Sequence, residues 1–117
     1  MGSSERDKGN RGQREAECVL VEDGWEITKT SAGRSDPDFV AVHPTNGRTY
    51  AIEVKNVAAL TFRTFRKQAR GQAKRGQRWL LMCRIPEFPG TWYVESSDRG
   101  PRIWRDNGAR KRDGVLE

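Results

Sequence analysis

Cysteine, histidine and long apolar runs are all scarce in this chain, and each scarcity closes off a class of function. The two cysteines, Cys18 and Cys83, have no CxxC spacing, and His43 is the only histidine that could join them. They do not make a zinc centre, and a cytosolic setting argues against a disulfide. Both are expected as small buried apolar residues, Cys18 on a first helix and Cys83 in a strand. No apolar run approaches the roughly 20 residues that span a bilayer, and the polar N-terminus lacks the apolar core of a secretory signal. A soluble, cytoplasmic protein is expected. At 117 residues the chain has room for one modest core and not for two.

Positive charge is what the sequence has in excess. It holds 22 Lys and Arg against 16 Asp and Glu, a surplus of six, so an acidic ligand such as DNA is the natural partner. Residues 56–77 read mostly as helix, with Phe62 and Phe65 facing inward, and carry Arg63, Arg66, Lys67, Arg70, Lys74 and Arg75 without an acid. A run of one sign repels itself and wants a partner; a surface of this kind recognises phosphates by shape more than by base edges. Residues 98–117, with Arg99, Arg102, Arg105, Arg110, Lys111 and Arg112, read as a basic tail too polar to build core, tacked to the body by Trp104. Residues 1–11 read as a flexible polar lead, leaving 12–97 as the folded domain.

Within that domain, residues 12–23 predict a helix that buries Ala16, Val19 and Leu20 at i, i+3 and i+4 and stops at Gly24. A strand follows from Trp25 and Ile27. Residues 30–37 form a loop of small and polar residues in which the Ser31 and Ser35 hydroxyls are candidate phosphate donors, although turn chemistry explains them equally well. Two further strands, 79–85 and 91–95, are joined by a turn that its prolines and Gly90 dictate.

The most informative segment lies between. Pro37-Asp38 opens an apolar run, Asn46-Gly47 turns it, and Glu53-Val54-Lys55 closes the return run, so the stretch reads strand, turn, strand. A two-residue turn at Asn46-Gly47 pairs Thr45 with Arg48, Val40 with Glu53 and Asp38 with Lys55. In that register Asp38, Glu53 and Lys55 share one face, with opposed Cβ atoms roughly 5 Å apart. His43 then stands across from Tyr50, a strand-end surface residue rather than a general base. A slip of one residue separates the acids, and Pro44 weakens this register by removing a donor near the turn. Two carboxylates and an ammonium are what metal-assisted phosphodiester hydrolysis needs. A hard cation such as Mg2+, for which Mn2+ substitutes, takes oxygen ligands and keeps several waters, while the amine steers a water and offsets developing charge. The expected ligands are Asp38, Glu53 and the backbone carbonyl of Val54. A plainer reading leaves Asp38 capping a turn, with Glu53 and Lys55 on a solvated strand face.

From residue 8 to about 95, the order and spacing of these segments resemble the PD-(D/E)xK nuclease superfamily, and within it the small Holliday junction resolvases of archaeal and phage type. The carrying segments are KGNRGQREAECVLVEDGWEITKTSAGRSDPDFVAV, AIEVKN, RWLLMCRI and TWYVES. The resemblance implies a restriction-endonuclease-like α/β fold, a mixed sheet flanked by helices. It also implies a Mg2+-dependent endonuclease cutting branched DNA as a symmetric homodimer, in recombination or repair within a bacterial or phage-infected cell. Those nucleases carry a glutamate on the first helix, where Gln13 stands here. Glu17, one turn on, and Glu15 are the substitutes. Two other readings stay open: a nuclease of the same superfamily acting on linear DNA or RNA, and a binding module that kept the fold and lost catalysis.

Overall fold

A computed structural model describes residues 3–30, 37–56, 62–73, 77–88 and 90–105. The first helix, α1, spans Ser3–Glu22 and so begins well before the expected residue 12, taking in most of the segment read as a flexible lead. Ala16 and Leu20 are fully buried and Val19 nearly so, as their spacing requires. Cys18, set on the opposite side of the helix from Ala16, is exposed, which corrects the expectation that both cysteines are buried.

α1 ends in a Schellman motif. Trp25 N–H donates to Leu20 O at 2.9 Å and Gly24 N–H to Val21 O at 3.0 Å. Gly24 takes φ 98°, which glycine adopts without strain. The reversal drops Trp25 into the core, edge-on to His43 at 4.9 Å and to Tyr50 at 5.3 Å.

Six strands follow in one sheet, in chain order: β1 (Glu26–Thr30), β2 (Phe39–Val42), β3 (Thr49–Lys55), β4 (Arg78–Arg84), β5 (Thr91–Ser96) and β6 (Arg102–Arg105). All neighbours are antiparallel except β3 and β4, which run parallel because α2 (Phe62–Gln72) lies in the connection between them. β6 falls in the segment expected as a polar tail. Its Trp104 pairs with Trp92 and packs on the core, so that segment begins as an edge strand. Residues 106–117, including Arg110, Lys111 and Arg112, lie outside the described residues.

Strand alternation divides the core between the two helices. Phe39, Ala41, Tyr50, Ile52, Val54, Leu80, Met82, Trp92 and Val94 gather with Ala16, Val19 and Leu20 on the α1 side. Leu81, Cys83 and Tyr93 gather on the other face with Ala69 of α2 and half-buried Phe65, Trp79 and Ile85. Glu53 and Lys55 have the parity of that second face. A polar pair in the middle strand is thereby roofed by α2.

Candidate active site

The β2–β3 hairpin closes through a wider loop than the Asn46-Gly47 signal predicts. His43 N–H donates to Arg48 O at 2.9 Å and Gly47 N–H to His43 O at 3.1 Å, leaving four residues, 44–47, in the loop. The cause is His43 itself. It is buried, not exposed, and its Nδ1 accepts from the N–H groups of Thr45 and Asn46 at 3.1 and 3.2 Å. Gly47 takes φ 69° to complete the turn.

The observed pairs are Phe39 with Ile52, Val40 with Ala51, Ala41 with Tyr50 and Val42 with Thr49. Relative to the expected pairing this is a shift of two residues, so every side chain keeps its face. Continued by one residue, the register sets Asp38 across from Glu53 rather than Lys55, which brings the two acids closer than expected.

Asp38 is fixed by an N–H rather than by a neighbouring side chain: its Oδ2 accepts from Val54 N–H at 2.8 Å. At Val54, expected to offer its carbonyl, the structure therefore shows the N–H engaged. Glu53 is 4% exposed. Its Oε2 lies 3.2 Å from Lys55 Nζ, while its Oε1 is buried without a hydrogen-bond partner. Such an orphan oxygen is costly unless a ligand completes it. These contacts overturn the plainer reading of a solvated strand face.

The electrostatics follow from this crowding. Burial first, and then the charge of Asp38, push Glu53 up to about 7, against the smaller opposing pull of Lys55. Burial also raises Asp38, opposed by the Val54 N–H and Lys55 and reinforced by Glu17. Two carboxylates that resist ionising side by side form a site that gains by holding a cation.

On α1, Gln13 and Glu17 reach this centre and Glu15 does not. Gln13 Nε2 donates to Glu17 Oε2 at 3.2 Å and to the Asp38 carbonyl at 3.3 Å. Glu15 instead stands 3.0 Å from Arg84 Nε, an ion pair not aligned as a hydrogen bond. Among the described residues no cluster of three or more His, Cys, Asp or Glu side chains is placed to hold a metal ion. The site so far has two adjacent carboxylates, a number that suits a cation keeping most of its water.

Gly12 explains how α1 reaches the end of β3. A Cβ there would lie 2.5 Å from Asn56 Cβ, so only glycine allows the helix to sit on the residue after Lys55.

The basic helix is split by its own periodicity. Arg63, Lys67 and Arg70, at i, i+4 and i+7, are exposed and form one stripe. Arg66 is withdrawn from it: its Nε donates to Glu95 Oε2 at 2.6 Å, and Tyr93 Oη donates to Glu95 Oε1 at 2.7 Å. Arg66 therefore fastens α2 to β5, a correction to its place in the phosphate-binding set. Phe65, the other inward residue, places its ring 5.3 Å from Lys55 Nζ. The Phe62 side chain, Ser31, Ser35, Lys74 and Arg75 lie outside the described residues.

No protein-family model matches this chain, and no curated protein matches its sequence.

Proposed function

We propose that this chain is a metal-dependent endonuclease of the PD-(D/E)xK type that hydrolyses phosphodiesters in branched DNA, acting as a homodimer on four-way junctions. The observation that carries the reading is half-buried Asp38 beside buried Glu53, whose Oε1 has no hydrogen-bond partner and whose Oε2 meets the Lys55 ammonium at 3.2 Å. The order of helix, three antiparallel strands, crossover helix and parallel strand is compatible with the restriction-endonuclease-like layout.

Asp38 and Glu53 would hold Mg2+, and the burial that resists ionisation of both and the unpartnered Glu53 Oε1 fit that role. The cation supplies Lewis-acid polarisation of the phosphate and a more acidic bound water. Asp38, locked by the Val54 N–H, presents its other oxygen in one orientation. Glu53 must be deprotonated to bind, and Lys55 lowers the cost of that charge. The Lys55 ammonium, 3.2 Å from Glu53 Oε2, is also suited to orienting a water or a phosphate oxygen. Arg63, Lys67 and Arg70 contact backbone phosphates flanking the cut.

A second reading is favoured by one residue. Gln13 stands where the resembling nucleases carry an acid, which suits a binding module without catalysis.

Incubation with a synthetic four-way junction, a matched duplex and RNA, each with Mg2+ or EDTA, separates the readings. Paired nicks in the junction that EDTA abolishes are the expected result. Cleavage of duplex or RNA moves the substrate within the superfamily, and tight binding without any cleavage overturns the enzyme.

A further inference from the structure

We propose that Phe65 is a positioning residue that holds the Lys55 ammonium beside Glu53 through the face of its ring. The consequence for catalysis rests on the nuclease reading above; the contact itself does not. Lysine is a compact charge on a flexible four-carbon stem, and its ammonium can point in many directions. Here the 3.2 Å approach to Glu53 Oε2 sets its distance from the acid. That contact alone leaves the amine free to swing around the carboxylate. The Phe65 ring closes off that freedom from above, with its centroid 5.3 Å from Nζ, inside the roughly 6 Å range over which the ring quadrupole attracts a cation.

The ring is itself held by the core rather than by the lysine. Phe65 packs on the cluster of Ala69, Leu81, Cys83 and Tyr93, and the neighbouring Arg66 pins its helix to Glu95 at 2.6 Å. The Lys55 side chain is 20% exposed, so the contact is partly shielded from water, which strengthens attraction to the ring. α2 thus presents Arg63, Lys67 and Arg70 outward and braces the reacting amine inward.

Two readouts on the full chain test this, with Phe65→Leu removing the ring and Phe65→Tyr restoring it. In NMR, the Lys55 side-chain protons next to Nζ show an upfield ring-current shift in the wild type and in Phe65→Tyr, and lose it in Phe65→Leu. In single-turnover cleavage of a four-way junction with Mg2+, Phe65→Leu slows the saturated rate roughly tenfold, the scale of a partly shielded cation–π contact. Its half-saturating protein concentration changes less than about twofold, and Phe65→Tyr cuts like the wild type. Phe65→Met takes the same place where the leucine variant does not fold. An unshifted Lys55 resonance in the wild type overturns the contact, and a wild-type rate in Phe65→Leu overturns the positioning role. If the wild type cuts no substrate, the nuclease reading fails, and the Lys55 resonance still decides whether the ring holds the amine.

Discussion

Glu53 is held against its own preference. It ionises at about 7 in the folded chain against an ordinary 4.5, so the native state retains a proton that the unfolded chain releases between those values. This group costs no stability below pH 4.5, and stability falls as pH rises from 4.5 to 7, by roughly 3 kcal/mol if the shift is fully expressed. Glu53→Gln removes that loss. Its urea midpoint should exceed the wild type's at pH 8 and converge with it near pH 4; an equal difference at both values contradicts the buried-acid assignment. Asp38→Asn and Glu53→Gln should each abolish junction cleavage and leave DNA binding unchanged or tighter, since a charge that repels phosphate has gone. Wild-type cutting rates in either variant refute their role. At this scale Asp38, Glu53 and Lys55 were legible because chemistry is carried by residue type. Glu95 and Arg66 were not, because an ordinary strand glutamate and an ordinary helix arginine declare their pairing only once α2 is laid on the sheet.

Among the elements, the hairpin shows why a face is easier to read than a register. Alternation has period two, so Asp38 and Glu53 stay together under the two-residue shift that His43 imposes by gathering the N–H groups of Thr45 and Asn46. Nothing in the Asn46-Gly47 pair announces that a preceding histidine will widen the loop. The start of α1 was hidden for another reason: residues 1–11 are polar and charged with no apolar periodicity and so read as a lead, while Gly12, already inside the expected helix, is required by Asn56. Gly12→Ala sets a gain in helix propensity of about 1 kcal/mol against a backbone-proximal clash of about 1–3 kcal/mol. The clash should win, lowering the denaturation midpoint, and Asn56→Gly in the same chain should restore it. A stabilised single variant contradicts the close approach.

Across the whole molecule, the surplus of six positive charges is spread unevenly. The sequence presented residues 63–75 as one basic run, but a helix displays such a run as separate sides: Arg63, Lys67 and Arg70 are exposed, while Arg66 is paired with Glu95. Arg70→Ala should weaken DNA binding and lower the slope of log affinity against log salt by about one, with the melting temperature unchanged. Arg66→Ala should do the reverse, lowering the melting temperature by stranding Glu95 while leaving the salt slope intact. Equal salt slopes for the two variants would contradict the division of the helix.

The most direct test is calorimetric titration of Mn2+ into the wild-type chain, with and without a junction oligonucleotide, beside Glu53→Gln. Saturable uptake by the wild type, strengthened by DNA and lost in the variant, is the predicted result. No uptake by the wild type under either condition, or equal uptake by Glu53→Gln, contradicts a cation site built on Asp38 and Glu53.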